Sequence, residues 1–340
     1  MKIEVWSPTI RRKEMDAVLT AMVADRVGPG EGSRLLLQIA KEHLEFDYAL
    51  ALRSPAIALF FALRALALAD GDRVAVSALS PRYYSQVIAD LRLRAVYCDV
   101  DKGTAVMGAE TVSAAMAAEN CRCAVVHHTL GYTPGTAAIA ALGIPVIEDI
   151  SQGYGSSVDG KRTGSCGLFT ILGLEEEDML TAGGGALLYA ANRRDAAVLR
   201  SLSPLAEYSL PDMNAAMAAV QFREAGRNLE KRREIAKVYT QAALRTRHRQ
   251  FALTENTEYN HYAFPLILET GMKDVTAYAK KKEIAVESAF VNAQIASLEG
   301  AGEKWSEAWS LSLRTALFPL YPRLSSAETE KVARLIMTLP

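Results

Sequence analysis

YALALRSPAIALFFALRALALADGDRVAVSAL, residues 48–79, decides the fold. Its first five residues form a short apolar run of strand length. The stretch from Pro55 is apolar over helical length, and RVAVSA closes the segment with a second short run. Ser54 ahead of Pro55 marks a helix start: a serine hydroxyl accepts from an otherwise orphaned amide, and proline has no N–H to lose at the first helical position. Strand, tight turn, helix, strand is the unit of a parallel sheet, whose strands are buried on both faces and so read as unbroken apolar runs.

Working outward, AVYCDV, CAVVHH, IPVIED and GLFTILGL are further strands of the same kind. Helical segments begin at Ser85, Ala109 and Pro134 and fall between them, and residues 33–46 carry helical spacing ahead of the first strand. The class is therefore α/β: a three-layer αβα large domain with a mostly parallel sheet. Ligands in such sheets sit beyond the strand C-termini, which brings Ser54, the loop of residues 80–84, His128, Asp149 and Glu175 to one edge. From Pro211 a long helical pattern serves as a connector. Behind it HYAFPLIL reads as a strand, VTAYAKKKEIA as a helix and SAETEKVARLIMTL as a helix with Ser326 near its start. We expect a large domain over residues 1–231 and a smaller α+β domain over 232–340.

The composition excludes several functions. With 340 residues, half of them hydrophobic, the chain is long enough for a sizeable core. Its formal net charge is -1 and the basic residues are scattered, so no stripe tracks nucleic-acid phosphates. The apolar run from Ile57 is broken by Arg64 and too short to span a bilayer. The N-terminus lacks the apolar centre of a signal peptide, and the chain reads as cytoplasmic. Four cysteines make neither a disulfide framework nor a zinc site, and no metal is expected. His127 and His128 are neighbours on a strand and point to opposite faces, so they are poor co-ligands, one for the core and one for a pocket.

VGPGEGSRLLLQIAKEHLEF, the Ser54-Pro55-Ala56 turn, VVHHTLGYTPG, IPVIEDISQGYGSSVDGKRTGSCG, TAGGGALL, PDMNAAMAAVQFREAGRNLEKRREIAKVY and TALFPLYPRLSSAETEKV occur here in one order. That ordered set resembles the DegT-type (StrS-like) sugar aminotransferases, which use pyridoxal phosphate on the aspartate aminotransferase fold. The resemblance implies a lysine that forms a Schiff base with the cofactor, a carboxylate facing the pyridine nitrogen, and a helix start that holds the phosphate. It assigns the carboxylate to Asp149 and a residue close to the ring to Gln152. Ser54, Pro55 and Ala56 fall at the phosphate turn, Thr170 replaces a strand serine, and Tyr83 substitutes for a stacking aromatic whose own place falls near Pro81.

The lysine has no counterpart. Counting back from Gly185 puts Glu177 in its place, and counting forward from Thr170 gives Glu175. The whole window, Glu175, Glu176, Glu177 and Asp178, is acidic. Neither a lysine nor a histidine occurs between Lys161 and Lys231, and a carboxylate cannot make an imine. The phosphate turn has also exchanged glycine and threonine for Pro55 and Ala56.

Three readings follow. In the first, a degenerate family member keeps fold and pocket without catalytic residues, and binds a nucleotide-sugar or pairs with an active paralogue. In the second, an active aminotransferase-like enzyme holds pyridoxal or pyridoxamine phosphate non-covalently on Asp149, with Lys161 or His128 moving protons. The third is a structural partner with no small ligand, whose pocket is filled by Tyr83 or Tyr84. The resemblance further implies a homodimer and a setting in amino-sugar or polysaccharide biosynthesis.

Overall fold

The computed structural model describes residues 2–340. Seven strands form the central sheet in the order Tyr48–Leu52, Ala186–Ala190, Phe169–Gly173, Val146–Asp149, Cys121–His127, Arg73–Ser77 and Arg94–Cys98. Only Ala186–Ala190 runs antiparallel to its neighbours; the other six are parallel. Helices cover both faces, in agreement with the expected α/β layers. The reason is visible in burial: Val74, Ala75 and Val76 are all inaccessible, as are Ile171 and Leu172, so neither face could be left to water.

Ser54 caps the helix Pro55–Ala65, its Oγ accepting from Ile57 N at 3.3 Å. The segment expected to be helical from Pro134 is shorter than its apolar pattern, covering only Thr136–Ala140, with Gly135 as its N-cap and the chain turning at Gly143, φ +84°, beyond its end. The final helix, Ser326–Met337, starts one residue after its cap: Ser325 and Glu328 form a reciprocal capping box.

The helix Asp212–Ala243 runs 32 residues without a break. The boundary anticipated at residues 231 and 232 therefore lies inside a continuous helix, where packing changes hands. Phe222 and Ala225 belong to the core beneath the central sheet, while Ile235, Ala236 and Tyr239 belong to a second core with Phe264, Leu266 and Phe318. That second core covers the antiparallel sheet of Phe264–Ile267, Thr315–Phe318 and Glu287–Ser288. It also recruits Ile3, which bridges to Ile284, so the chain's start packs with its C-terminal third.

Candidate functional site

Because six strands are parallel and the seventh begins where they end, Leu52, Ser77, His127, Asp149, Gly173 and Ala186 all stand on one edge of the sheet. Asp149 ends a central strand and its carboxylate is fully engaged. Oδ1 accepts from Ser151 N at 2.9 Å and Ser151 Oγ at 2.5 Å; Oδ2 accepts from Tyr84 OH at 2.6 Å and Tyr83 OH at 3.2 Å. The two tyrosines open the helix Tyr83–Asp90 and stack edge to face at 5.0 Å. Burial, and next the charge of Asp149, push both phenols well above their ordinary value, so they stay protonated and act as donors. Ser151 Oγ in turn accepts from Gly173 N at 2.8 Å, tying this cluster to the neighbouring strand.

The acidic loop closes on itself. Glu175 N donates to Asp178 Oδ2 at 2.8 Å, and Gly185 N donates to Glu175 Oε1 at 3.3 Å. Three successive glycines with positive φ, Gly183, Gly184 and Gly185, turn the chain from this loop into the antiparallel strand, a path that a side chain at each position would strain. Asp178 packs against Gly173 and Ser151, beside the Asp149 cluster. Burial first, with Asp149, Glu175 and Glu177 adding like charge, pushes its carboxyl up to about 7 against a stabilising bond from the Glu175 amide.

That shift has a sign. An acid held above its ordinary value of about 3.9 does not weaken the fold while protonated, and it costs stability as pH rises toward the folded value. Asp178→Asn is therefore expected to raise stability at about pH 8 by about 1–3 kcal/mol and to leave it unchanged near pH 4. Urea midpoints at the two pH values check this; equal midpoints for both proteins at the higher pH would remove Asp178 as a source of strain.

Each remaining candidate has a definite place. Gln152 Oε1 accepts from Leu130 N at 2.7 Å, joining two edge loops, and its side chain lines a cleft. At the phosphate turn Ser54 Oγ is occupied by Ile57 N and Pro55 has no N–H, which leaves the Ala56 amide. Thr170 sits apart: it lies near the start of its strand, opposite Glu148, and donates to Gly164 O at 3.0 Å in the interior. Tyr83 is spent on Asp149 rather than standing as a stacking face. Lys161 is exposed on a small hairpin, and His128 Nε2 is bound to Glu148 Oε1 at 2.9 Å, so neither basic side chain bonds to Asp149 or lines the cleft.

The histidine pair splits as strand geometry requires. His128 goes to the core with Glu148, whereas His127, 4 % exposed, lines the cleft. Glu148 escaped the sequence reading. It collects His128, Thr136 Oγ1 and the amides of Gly164, Cys166 and Gly167. Its signal was the glycine pair of TGSCG, and Gly164 in particular has φ +87° with a hydroxyl of Tyr189 where a Cβ would go.

The cleft lies between the edge loops of the central sheet and residues 287–293, against the first core, and has a volume of about 460 Å³. Trp6, Tyr262 and Phe290 give it aromatic walls, and Glu177 and Glu287 stand on its lining. No lysine or arginine among the described residues lines it, so none of them supplies a cation there for the diphosphate of the expected nucleotide-sugar. No group of three or more His, Cys, Asp or Glu side chains among the described residues is placed to hold a metal. No helix among them is long and apolar enough to cross a membrane.

The geometry does not fit the cofactor implied by the resemblance. The carboxylate needed for a ring nitrogen already has four donors, the anion seat has lost an amide and a free hydroxyl, and the partly buried acid Asp178 stands close by. No lysine amine lies in the edge loop.

Comparison with known proteins identifies the frame. Residues 8–337 match the DegT/DnrJ/EryC1/StrS aminotransferase family. The dTDP-4-dehydro-2,3,6-trideoxy-D-glucose 4-aminotransferase of Saccharopolyspora spinosa is 25% identical, over 97% of this chain and 95% of that protein. Among solved structures, the aminotransferase TlmJ of Streptoalloteichus hindustanus superposes with a TM-score of 0.89 at 23% identity, over 98% of both chains. Spr1654 of Streptococcus pneumoniae in its PLP form gives 0.90 at 17% identity, covering all of this chain and 98% of that one. With the match running nearly end to end, this chain belongs to the DegT/DnrJ/EryC1/StrS aminotransferase family.

Proposed function

We propose that this chain is a family member that keeps the sugar-aminotransferase frame, has lost the usual transamination, and acts through its interdomain cleft as a binding protein. The observation that carries the reading is Asp149, whose carboxylate is saturated by hydroxyls and an amide of the chain itself. The acidic residues in the lysine's place support it independently. An enzyme holding pyridoxal or pyridoxamine phosphate non-covalently would have to strip both tyrosines from Asp149 and place a phosphate near Asp178. The purely structural reading accounts for the tyrosines but not for an open cleft of about 460 Å³ beside them.

Pairing with a second copy, or with an active paralogue, belongs to the same proposal. Met15, Leu19, Met22 and Val23 on the first helix, with Val27 and Leu35 following, are exposed apolar residues over a short stretch of chain. The likeness to an amino-deoxysugar enzyme sets the role beside amino-sugar or polysaccharide biosynthesis.

Incubation with pyridoxal phosphate followed by borohydride tests the loss of chemistry. Once free cofactor is removed, we expect no absorbance retained at the visible edge and, after borohydride, no more than low, scattered labelling of surface lysines. A reduced cofactor fixed to one lysine, or conversion to the amine form by an amino donor, would overturn the proposal.

A further inference from the structure

The cleft's lining sets the class of its ligand, and this step rests on the binding role proposed above. We propose that the interdomain cleft takes a small organic ammonium ion, held between the carboxylates of Glu177 and Glu287 and the faces of Trp6 and Tyr262.

Three observations converge on it. Among the described residues the carboxylates of Glu177 and Glu287 have neither an ion-pair partner nor a hydrogen bond, although both line a cleft large enough for a small molecule. They also feel each other: partial burial first, then Glu287 and Glu176, raise the Glu177 carboxyl above its ordinary value, a like-charge strain that a bound cation relieves. The aromatic wall is placed for the same ligand. Trp6 and Tyr262 have centroids 5.1 Å apart, tilted by 42°, and ring faces attract cations electrostatically.

The third observation is His127. Its Nδ1 pairs with Thr129 Oγ1 at 3.1 Å, while no partner for Nε2 is found among the described residues and the ring lines the cleft. Burial, opposed by Asp149 and reinforced by His128, lowers it to about 4, so the ring is neutral at physiological pH and adds no positive charge. Its free nitrogen is a hydrogen-bonding group of the kind that orients a polar ligand. Arg232 lines a small neighbouring cavity with Trp6, Glu177 and Asp178, but its Nη1 is committed to the carbonyls of His261, Tyr262 and Leu320, it makes no ion pair with Glu177, and it does not line the cleft itself. A metal ion is the poorer occupant, since a hard divalent cation wants six or more oxygens and only two carboxylates converge.

The test titrates the full chain with putrescine and with choline, following Trp6 emission against a Trp6→Phe control and confirming by calorimetry. We expect at least one of the two to saturate. The Glu177→Gln/Glu287→Gln variant, altered only at exposed residues, should bind about tenfold more weakly or worse. Succinate and inorganic phosphate should give no saturation. Binding by succinate in place of the amines, equal affinity in the double variant, saturation by neither amine, or calcium reproducing the signal at equal concentration would each overturn the inference. Those results leave the borohydride experiment untouched, so failure here and failure of the binding-protein reading are told apart.

Discussion

Replacing Glu148 with alanine is expected to destabilise the protein by about 3–5 kcal/mol, because it strips the acceptor from a buried histidine and from several enclosed donors at once. The carboxylate, on a residue 1 % exposed, takes a hydrogen bond from, or shares one with, His128, Thr136, Gly164, Cys166 and Gly167. Burial pushes the Glu148 carboxyl up, but the bond and charge of His128 and the amides of Gly164 and Cys166 outweigh it and hold the group below its ordinary value. Its contribution is therefore complete above the unfolded value of about 4.3 and is lost as pH falls through the folded one. The gap in urea midpoint between the two proteins should be widest near neutrality and close in acid. A gap that persists unchanged in acid would mean that the carboxylate's charge is not what holds the loop. Glu148→Gln keeps one acceptor oxygen and is expected to fall between the two.

Arg232→Met is the second large effect, with an expected loss of about 3–5 kcal/mol. One guanidinium nitrogen spans three carbonyls, at 3.2, 2.8 and 3.0 Å, that belong to the segment of His261 and Tyr262 and to Leu320. Burial lowers Arg232 to about 10, still far above neutrality, so the side chain is charged wherever the fold is used. Removing it orphans carbonyls at the point where the long helix passes from one core to the other. The expected signature is a lowered thermal midpoint with faster protease cleavage in the C-terminal third. A loss under about 1 kcal/mol would show that solvent re-satisfies those carbonyls. Arg232→Lys, which keeps charge and donors on a shorter reach, should recover part of the loss.

Both residues were hard to see in the sequence for the same reason. Glu148 reads as one more residue in a strand, and Arg232 as one more charge in a helix rich in them. Their importance depends on what arrives from 12 and 29 residues away or more. Tyr83 and Tyr84 are the sharper case. Their place near the strand ends was legible, but their partner Asp149 lies 66 and 65 residues further on, and only the start of one helix against one strand end brings them together. Thr170 failed in the opposite direction: its matching position in the pattern put it among the ligand contacts, whereas its strand places it inside, on Gly164.

The sequence by itself determined the parallel sheet, the Ser54 cap, the edge that gathers the candidate residues, and the absence of an amine before the glycine turn. Those follow from local preferences: apolar run length, cap chemistry, and which side chains carry nitrogen. The tertiary structure alone decided that Asp149 is saturated, that Asp178 is a partly buried acid crowded by like charge, and that the cleft is acidic and aromatic. These properties belong to pairs of residues distant in the chain, and the free energy of a buried charge depends on which groups surround it.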